Sequence, residues 1–300
     1  MDMTQNKCCR HGANLRRRRR RRRKILRSII FSCSIIAAAV FVAVGSSMIT
    51  SGDGRTNKYD VEAGNNTYDN AVIENSKISE KNKIQNNQSM LDDIMNSTQY
   101  PKQLKDLALK NEEALEFVYD YPAEHVKEHT IDLTEEASMD SVPLFVQWDK
   151  RWGYEKYSGN FFAASGCGPT TLSMVVVYLT HNREASPIAV AKYSKEAGYS
   201  VDGSGSSWTL ISEGCRHYGV KAKAVALDES RMKAELDEGH PIVVNVGPGD
   251  FTDTGHFMVI TGYDDEGFSI NDPNSIEKSG KRWLFKNISS QIRAVWSMYV

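Results

Sequence analysis

A loop that turns directly into a buried helix is written into residues 165–179. Ser165-Gly166-Cys167-Gly168-Pro169-Thr170-Thr171 sets small residues and a proline ahead of the apolar run Leu172 to Leu179. Proline suits the first turn of a helix, where its missing N–H would have no intrahelical partner anyway. Cys167 is therefore expected at a helix N-terminus, where unpaired backbone N–H groups favour thiolate over thiol and make the sulfur a better nucleophile. The flanking glycines are expected to remove side chains that would block a substrate. The alternative use of a cysteine here is as a small residue filling a tight loop-to-helix contact.

The charge distribution separates this region from the N-terminus. Twelve of the 37 basic residues, including Arg16 to Arg23, lie within residues 1–52 against a single acid, Asp2; the remainder holds 25 basic and 37 acidic residues. No charge occurs between Arg27 and Asp53, and Ile29 to Ile49 is predominantly apolar, long enough to cross the ~30 Å hydrocarbon core of a bilayer. A single transmembrane helix is predicted over 29–49. The arginine block marks residues 1–28 as a cytoplasmic tail, which places everything after residue 52 on the far side of the cell membrane. A cleaved signal peptide is the competing reading, with Ala43-Val44-Gly45 at the cleavage site, but the apolar run exceeds the usual core of about 7–15 residues. An arginine run can also bind nucleic acid. Beside an apolar span, topology and anionic headgroups account for it, so no nucleic-acid partner is expected.

Residues 50–99 are rich in Asn, Ser, Lys, Asp and Glu with isolated apolar positions, too few to offset chain entropy, and are predicted to form a disordered tether. From Tyr100 the apolar residues take helical spacing. Leu104, Leu107 and Ala108, then Ala114, Leu115 and Val118, predict two short helices interrupted near Asn111 and stopped at Tyr121-Pro122, within a helical lead-in over 100–140. The main domain, 141–300, should hold helices at 168–180, 187–197, 207–218 and 229–238. Strands are predicted at 142–146, 221–227, 242–246, 257–261, 268–271, 282–285 and 294–299, with Asp264-Asp265-Glu266-Gly267 as a hairpin loop. Helices first and strands later describe an α+β domain with a mostly antiparallel sheet.

A cysteine nucleophile needs a base and a group to hold that base. His256 follows Gly255 at the mouth of an apolar strand, and sixteen residues on Ile270-Asn271-Asp272-Pro273 ends the neighbouring one. If the hairpin turns within 263–267, Asp272 and His256 share one end of adjacent strands, with one ring nitrogen for the carboxylate and the other for Cys167. Gln147, leaving the segment Val142 to Val146, can donate an uncharged amide to a developing oxyanion. Cys167 and Cys215 are the exported cysteines, and a disulfide between them is the alternative to a nucleophile. Trp208, Ile211, Cys215 and Tyr218 instead recur at helical spacing, which gives Cys215 a packing role. The exported part has no Cys-x-x-Cys or His-Glu-x-x-His, so neither a metal nor another cofactor is expected.

Pro143-Leu144-Phe145-Val146-Gln147-Trp148-Asp149, Ser165 to Thr170, Gly255-His256-Phe257 with Gly262-Tyr263-Asp264, and Asn271-Asp272-Pro273 together resemble the bacterial cysteine peptidases related to the bacteriocin-processing, double-glycine leader peptidases. The resemblance covers roughly residues 141–300. It implies a papain-like fold with Cys167 as nucleophile, His256 as base, Asp272 as its orienter and Gln147 as oxyanion donor. It also implies a peptide or protein substrate. Two departures stand out. Leader peptidases are typically joined to an exporter with a nucleotide-binding domain, whereas this chain has no Gly-x-x-x-x-Gly-Lys-Ser/Thr loop. Papain-like enzymes usually keep the glutamine a few residues before the cysteine, where this chain has Phe161 and Phe162. The expected protein is a membrane-anchored extracytoplasmic cysteine peptidase, with 203–207 and 247–253 as rims of its groove. A non-catalytic peptide- or wall-binding module of the same fold, and acyl transfer to an amine, are the alternatives.

Overall fold

The computed structural model describes residues 66–300, with side chains from residue 81 onward. The expected cytoplasmic tail (1–28), transmembrane helix (29–49) and first part of the tether lie outside the described residues. Among the described residues no helix is long and apolar enough to cross a membrane.

Six strands build the central sheet: β1 (Lys221–Ala224), β2 (Ile242–Val246), β3 (His256–Asp264), β4 (Gly267–Asn271), β5 (Arg282–Trp283) and β6 (Ile292–Tyr299). Their order is β1-β6-β2-β3-β4-β5, and every neighbouring pair is antiparallel. All five residues of β2 are buried, which requires covering layers on both faces. On one face Val243, Phe257, Val259, Trp296 and Met298 pack with Leu172, Met174, Val175, Val176 and Val177. Those last five belong to helix α4 (Cys167–Thr180), numbered after three helices described below, and they are fully buried. A helix that is apolar all round belongs inside a protein; truncating one of its large side chains, as in Leu172→Ala, costs about 2–5 kcal/mol. On the other face the alternate residues Val244, Val246, Met258, Ile260, Phe268 and Ile270 pack with Met232, Leu236, Phe251 and Ile288, as a period of two demands.

The β3–β4 hairpin sets the position of the site. Asp264 pairs with Gly267 across a two-residue turn, and Val259 pairs with Asn271. Gly267 has φ +135°, and a Cβ there would lie 2.6 Å from the Trp283 carbonyl oxygen. Only glycine fits this turn. The register carries the chain past Asn271 toward the end of the sheet where β3 begins with His256.

Helix α1 (Asn66–Asn96) lies within the expected tether, and the lead-in holds α2 (Lys102–Lys110), a 3-10 turn at Glu112–Ala114 and α3 (Leu115–Tyr119). Asn111 interrupts it as expected, its Oδ1 accepting from the Glu113 N–H at 3.0 Å. Pro122 does not stop the helical path; it sits in the first turn of a further helical turn, Tyr121–Glu124, where its missing N–H costs nothing. The expectation of a disordered tether is corrected over 66–96, which is helical. Ile94 is fully buried, and with Met90 and Leu91 it packs on a cluster that includes Leu104, Leu107, Phe117, Phe161 and Ala163. Three apolar residues within five positions seat the end of an otherwise polar helix.

Two further expectations differ from the fold. Residues 142–146 carry no regular secondary structure and join no sheet: Pro143 has no N–H, and the carbonyls of Val142 and Pro143 accept instead from the Asn271 side chain at 3.1 and 3.0 Å. The helix expected over 207–218 is broken into Thr209–Ser212 and a 3-10 segment Gly214–Tyr218. Gly214 lies against the Tyr199 ring, where a Cβ would be 3.0 Å away, and this packing sets the break.

Candidate active site

Cys167 is the first residue of α4 and is half-buried, and its helix begins without a side-chain cap. The first N–H groups of α4 therefore keep their partial positive charge toward the sulfur. The two glycines beside Cys167 serve a different purpose from the one expected of them. A Cβ at Gly166 would lie 2.6 Å from the Phe162 ring, and one at Gly168 would lie 2.5 Å from Ser206 Oγ. The space they leave is filled by protein rather than kept for substrate.

His256 opens β3 and is 6% exposed, and Asp272, one residue past β4, is fully buried. Their side chains meet with His256 Nε2 2.7 Å from Asp272 Oδ1. Nδ1 is thus the ring nitrogen left for Cys167, whose ionisation His256 favours. Asp272 Oδ1 also accepts from the Asn274 N–H at 2.8 Å, an Asx turn of the kind that Asp-Pro-Asn commonly makes, so Asp272 forms a turn as well as holding the ring.

These contacts decide the charges. Burial works against an ionised sulfur, but the hydrogen bond and charge of His256, helped by the N–H groups of Phe257 and Gly168, outweigh it and hold the Cys167 thiol below its ordinary range. Burial likewise disfavours a charged ring, yet the charge and hydrogen bond of Asp272, followed by those of Cys167, raise His256 to about 10. The two groups therefore favour each other's charged forms, thiolate beside imidazolium. Cys215 has the opposite environment: burial pushes its thiol up to about 11. Both cysteines among the described residues are free, so the alternative disulfide is not formed. Among the described residues no three His, Cys, Asp or Glu side chains cluster as metal ligands.

Gln147 lies between the two halves of the site. Its N–H donates to the Pro273 carbonyl at 2.7 Å, beside Asp272, and its Nε2 donates to the Ala163 carbonyl at 2.7 Å, four residues before Cys167. The side chain is buried, with one amide hydrogen committed to Ala163 and its Oε1 without a hydrogen-bond partner. Of the expected rims, 203–207 carries Ser206 against Gly168 at the first turn of α4. The other, 247–253, is pinned by a reciprocal pair of bonds between Asp250 and Gln291 at 2.7 and 2.6 Å and buries Phe251.

A cysteine at a buried helix start, facing a strand-borne histidine that a carboxylate holds from behind, is the arrangement on which cysteine peptidases are built. The chain belongs to the Peptidase_C39 like family, whose model matches residues 139–300, and the expected relation to the bacteriocin-processing peptidases is borne out. No curated protein matches the chain. Among solved structures it is similar to the peptidase domain of Streptococcus ComA, a bi-functional ABC transporter of a quorum-sensing pathway. That match has 19% identity over 45% of this chain and 90% of that one, with a TM-score of 0.36. It is also similar to a putative C39-like peptidase from Bacillus anthracis, at 16% identity over 53% of this chain and 95% of that one, with a TM-score of 0.34.

Proposed function

We propose that this protein is a papain-like cysteine peptidase that cleaves a peptide bond through an acyl-enzyme on Cys167. The observation that carries the proposal is the 2.7 Å contact of His256 Nε2 with Asp272 Oδ1, which turns the other ring nitrogen to a sulfur whose ionisation that ring favours. The thiolate attacks the scissile carbonyl, and the negative charge passes to its oxygen. Backbone N–H groups at the start of α4 and the second amide hydrogen of Gln147 receive that oxyanion. As the tetrahedral species collapses, the C–N bond breaks and the imidazolium of His256 gives its proton to the leaving amine. The ring, now neutral, takes a proton from water, which attacks the thioester and releases the acid. Asp272 keeps the ring oriented and stabilises its charged form throughout.

The apolar stretch 29–49 serves as a single-pass anchor in the cell membrane, with the peptidase domain outside and the Arg-rich tail inside. No nucleic acid, metal or cofactor takes part.

The test is a peptide-library digest by the full-length protein, analysed by mass spectrometry, beside Cys167→Ala. Cleavage products that vanish in the variant support the proposal. Binding of peptides without products would assign the domain to a binding module, and products joined to an added amine would assign it to acyl transfer.

A further inference from the structure

Asn111 and Glu113 lie outside the residues that the family model matches, 139–300, yet they grip the loop that carries Asp272. Asn111 Nδ2 donates to the Asn274 carbonyl at 2.9 Å and to Asn274 Oδ1 at 3.1 Å. The Glu113 carboxylate accepts from the Ser275 hydroxyl and from the N–H groups of Ile276 and Glu277, the last two at 2.7 and 3.1 Å. Ile276 and Glu277 open a four-residue helix, α7 (Ile276–Ser279), numbered after α5 (Pro187–Glu196) and α6 (Glu229–Asp237). A single turn of helix has too few bonds of its own to persist and depends on its caps: Ser275 Oγ accepts from the Lys278 N–H at 3.1 Å, and the Glu113 carboxylate holds both that hydroxyl and the two N–H groups before Lys278.

The path from this cap to the reacting groups is short. Asp272 is bonded at both ends of the loop: its Oδ1 accepts from the Asn274 N–H at 2.8 Å, and its own N–H donates to Ser279 Oγ at 2.9 Å. Asn111 holds Asn274, and Glu113 holds the turn that presents Ser279. Asn111 is 9% exposed and Ser275 4%. Water therefore competes poorly for the bonds of Asn111 and Ser275, and an unmade one is costly, whereas the Ile276 and Glu277 N–H groups that Glu113 holds lie at the surface.

We propose that Asn111 and Glu113 are positioning residues for Asp272, which makes the helical lead-in part of the catalytic unit as well as a connection to the membrane. The proposal rests on the triad reading above. Without the Glu113 carboxylate α7 frays, the Asn274 N–H leaves Asp272, and the carboxylate turns away from His256. The imidazolium then loses its support, and Cys167 loses the positive neighbour that favours its ionisation.

The test follows carbamidomethylation of Cys167 by iodoacetamide against pH, read on the Cys167 peptide by mass spectrometry so that other cysteines do not interfere. It compares full-length wild type with Glu113→Gln, Glu113→Ala and the control Glu277→Gln, which removes an equal charge at the same loop. Both Glu113 variants are expected to label about three- to tenfold more slowly at pH 7, with the profile displaced to higher pH. The control should stay within about twofold of wild type. Unchanged labelling in Glu113 variants with native circular dichroism overturns the proposal, as does equal slowing in Glu277→Gln, which would assign the effect to charge alone. If Glu113→Ala does not fold, Glu113→Gln decides by the same criteria. Failure of the triad reading looks different: wild type itself would then label as an ordinary thiol, and His256→Ala would change nothing.

Discussion

Replacing His256 by alanine removes both the hydrogen bond and the positive charge that favour an ionised Cys167, and leaves the burial that opposes ionisation. A hydrogen bond to a charged group contributes about 1.5–3 kcal/mol, which corresponds to roughly 10- to 150-fold in the thiolate population at fixed pH. A thiolate of higher pKa is also a better nucleophile, by about threefold per unit, so one rate at one pH understates the change. The slope is cleaner. In His256→Ala the alkylation rate should rise about tenfold per pH unit between pH 6 and 8, as it does for any thiol that is mostly protonated there. Wild type should show a shallower slope over that range, because its thiol is held below the ordinary value. The assay is the rate of iodoacetamide labelling of the Cys167 peptide in the full-length protein, with Asp272→Asn as an intermediate case because it leaves the ring but removes its charged partner. Parallel slopes in wild type and His256→Ala would refute the reasoning, since they would mean that the ring does not control the sulfur.

Four further outcomes follow from the same geometry. Because His256 is raised in the folded state from an ordinary 6.5 to about 10, its contribution to stability is full below pH 6.5 and is lost as pH rises toward 10; the fall in urea midpoint between pH 6 and 9.5 should be smaller in His256→Ala. Gly168→Ala should lower stability by about 1–3 kcal/mol, because its Cβ would meet Ser206 Oγ at 2.5 Å and Ser206 Cβ at 2.7 Å, and adding Ser206→Gly should restore part of the thermal midpoint. Gln147→Ala should reduce kcat by about 10²-fold while leaving Cys167 labelling close to wild type; equal loss of both would make Gln147 a structural tie alone. Protease added to intact cells should digest the chain after residue 52 and spare epitopes placed within 1–28, and the reverse pattern would overturn the proposed topology.

The pattern of small residue, cysteine, glycine and proline before an apolar run was enough to locate a helix start at residue 167, because helix capping is a local matter of unpaired N–H groups. Strand pairing near His256 was legible for a similar reason: a turn at 264–267 between two apolar runs leaves one register that buries both faces. The hairpin brings Asp272 to the end of the sheet where His256 stands, though the register shift between Ile260 and Gly262 that sets Asn271 opposite Val259 was not legible. The strand expected at 142–146 failed because its carbonyls found a side chain, Asn271, that lies far along the chain. The broken helix at Glu213-Gly214 likewise answers to a ring, Tyr199, that no local pattern announces. Sparse apolar residues at 90–94 looked insufficient for order, since the surface that receives Ile94 is built from α2, α3 and Phe161 and exists only after folding.

The sequence by itself determined which chemical groups were available and at which element ends they would stand, because caps, turns and periodicity act over a few residues. Only the tertiary structure decided which ring nitrogen faces the carboxylate and what state the sulfur takes, because both depend on burial and on partners brought from opposite parts of the chain. The same holds for the grip of Asn111 and Glu113 on the Asp272 loop. Hydrogen bonds spanning more than 160 residues form only when the lead-in and the sheet end are packed together, and a residue's neighbours in sequence carry no record of them.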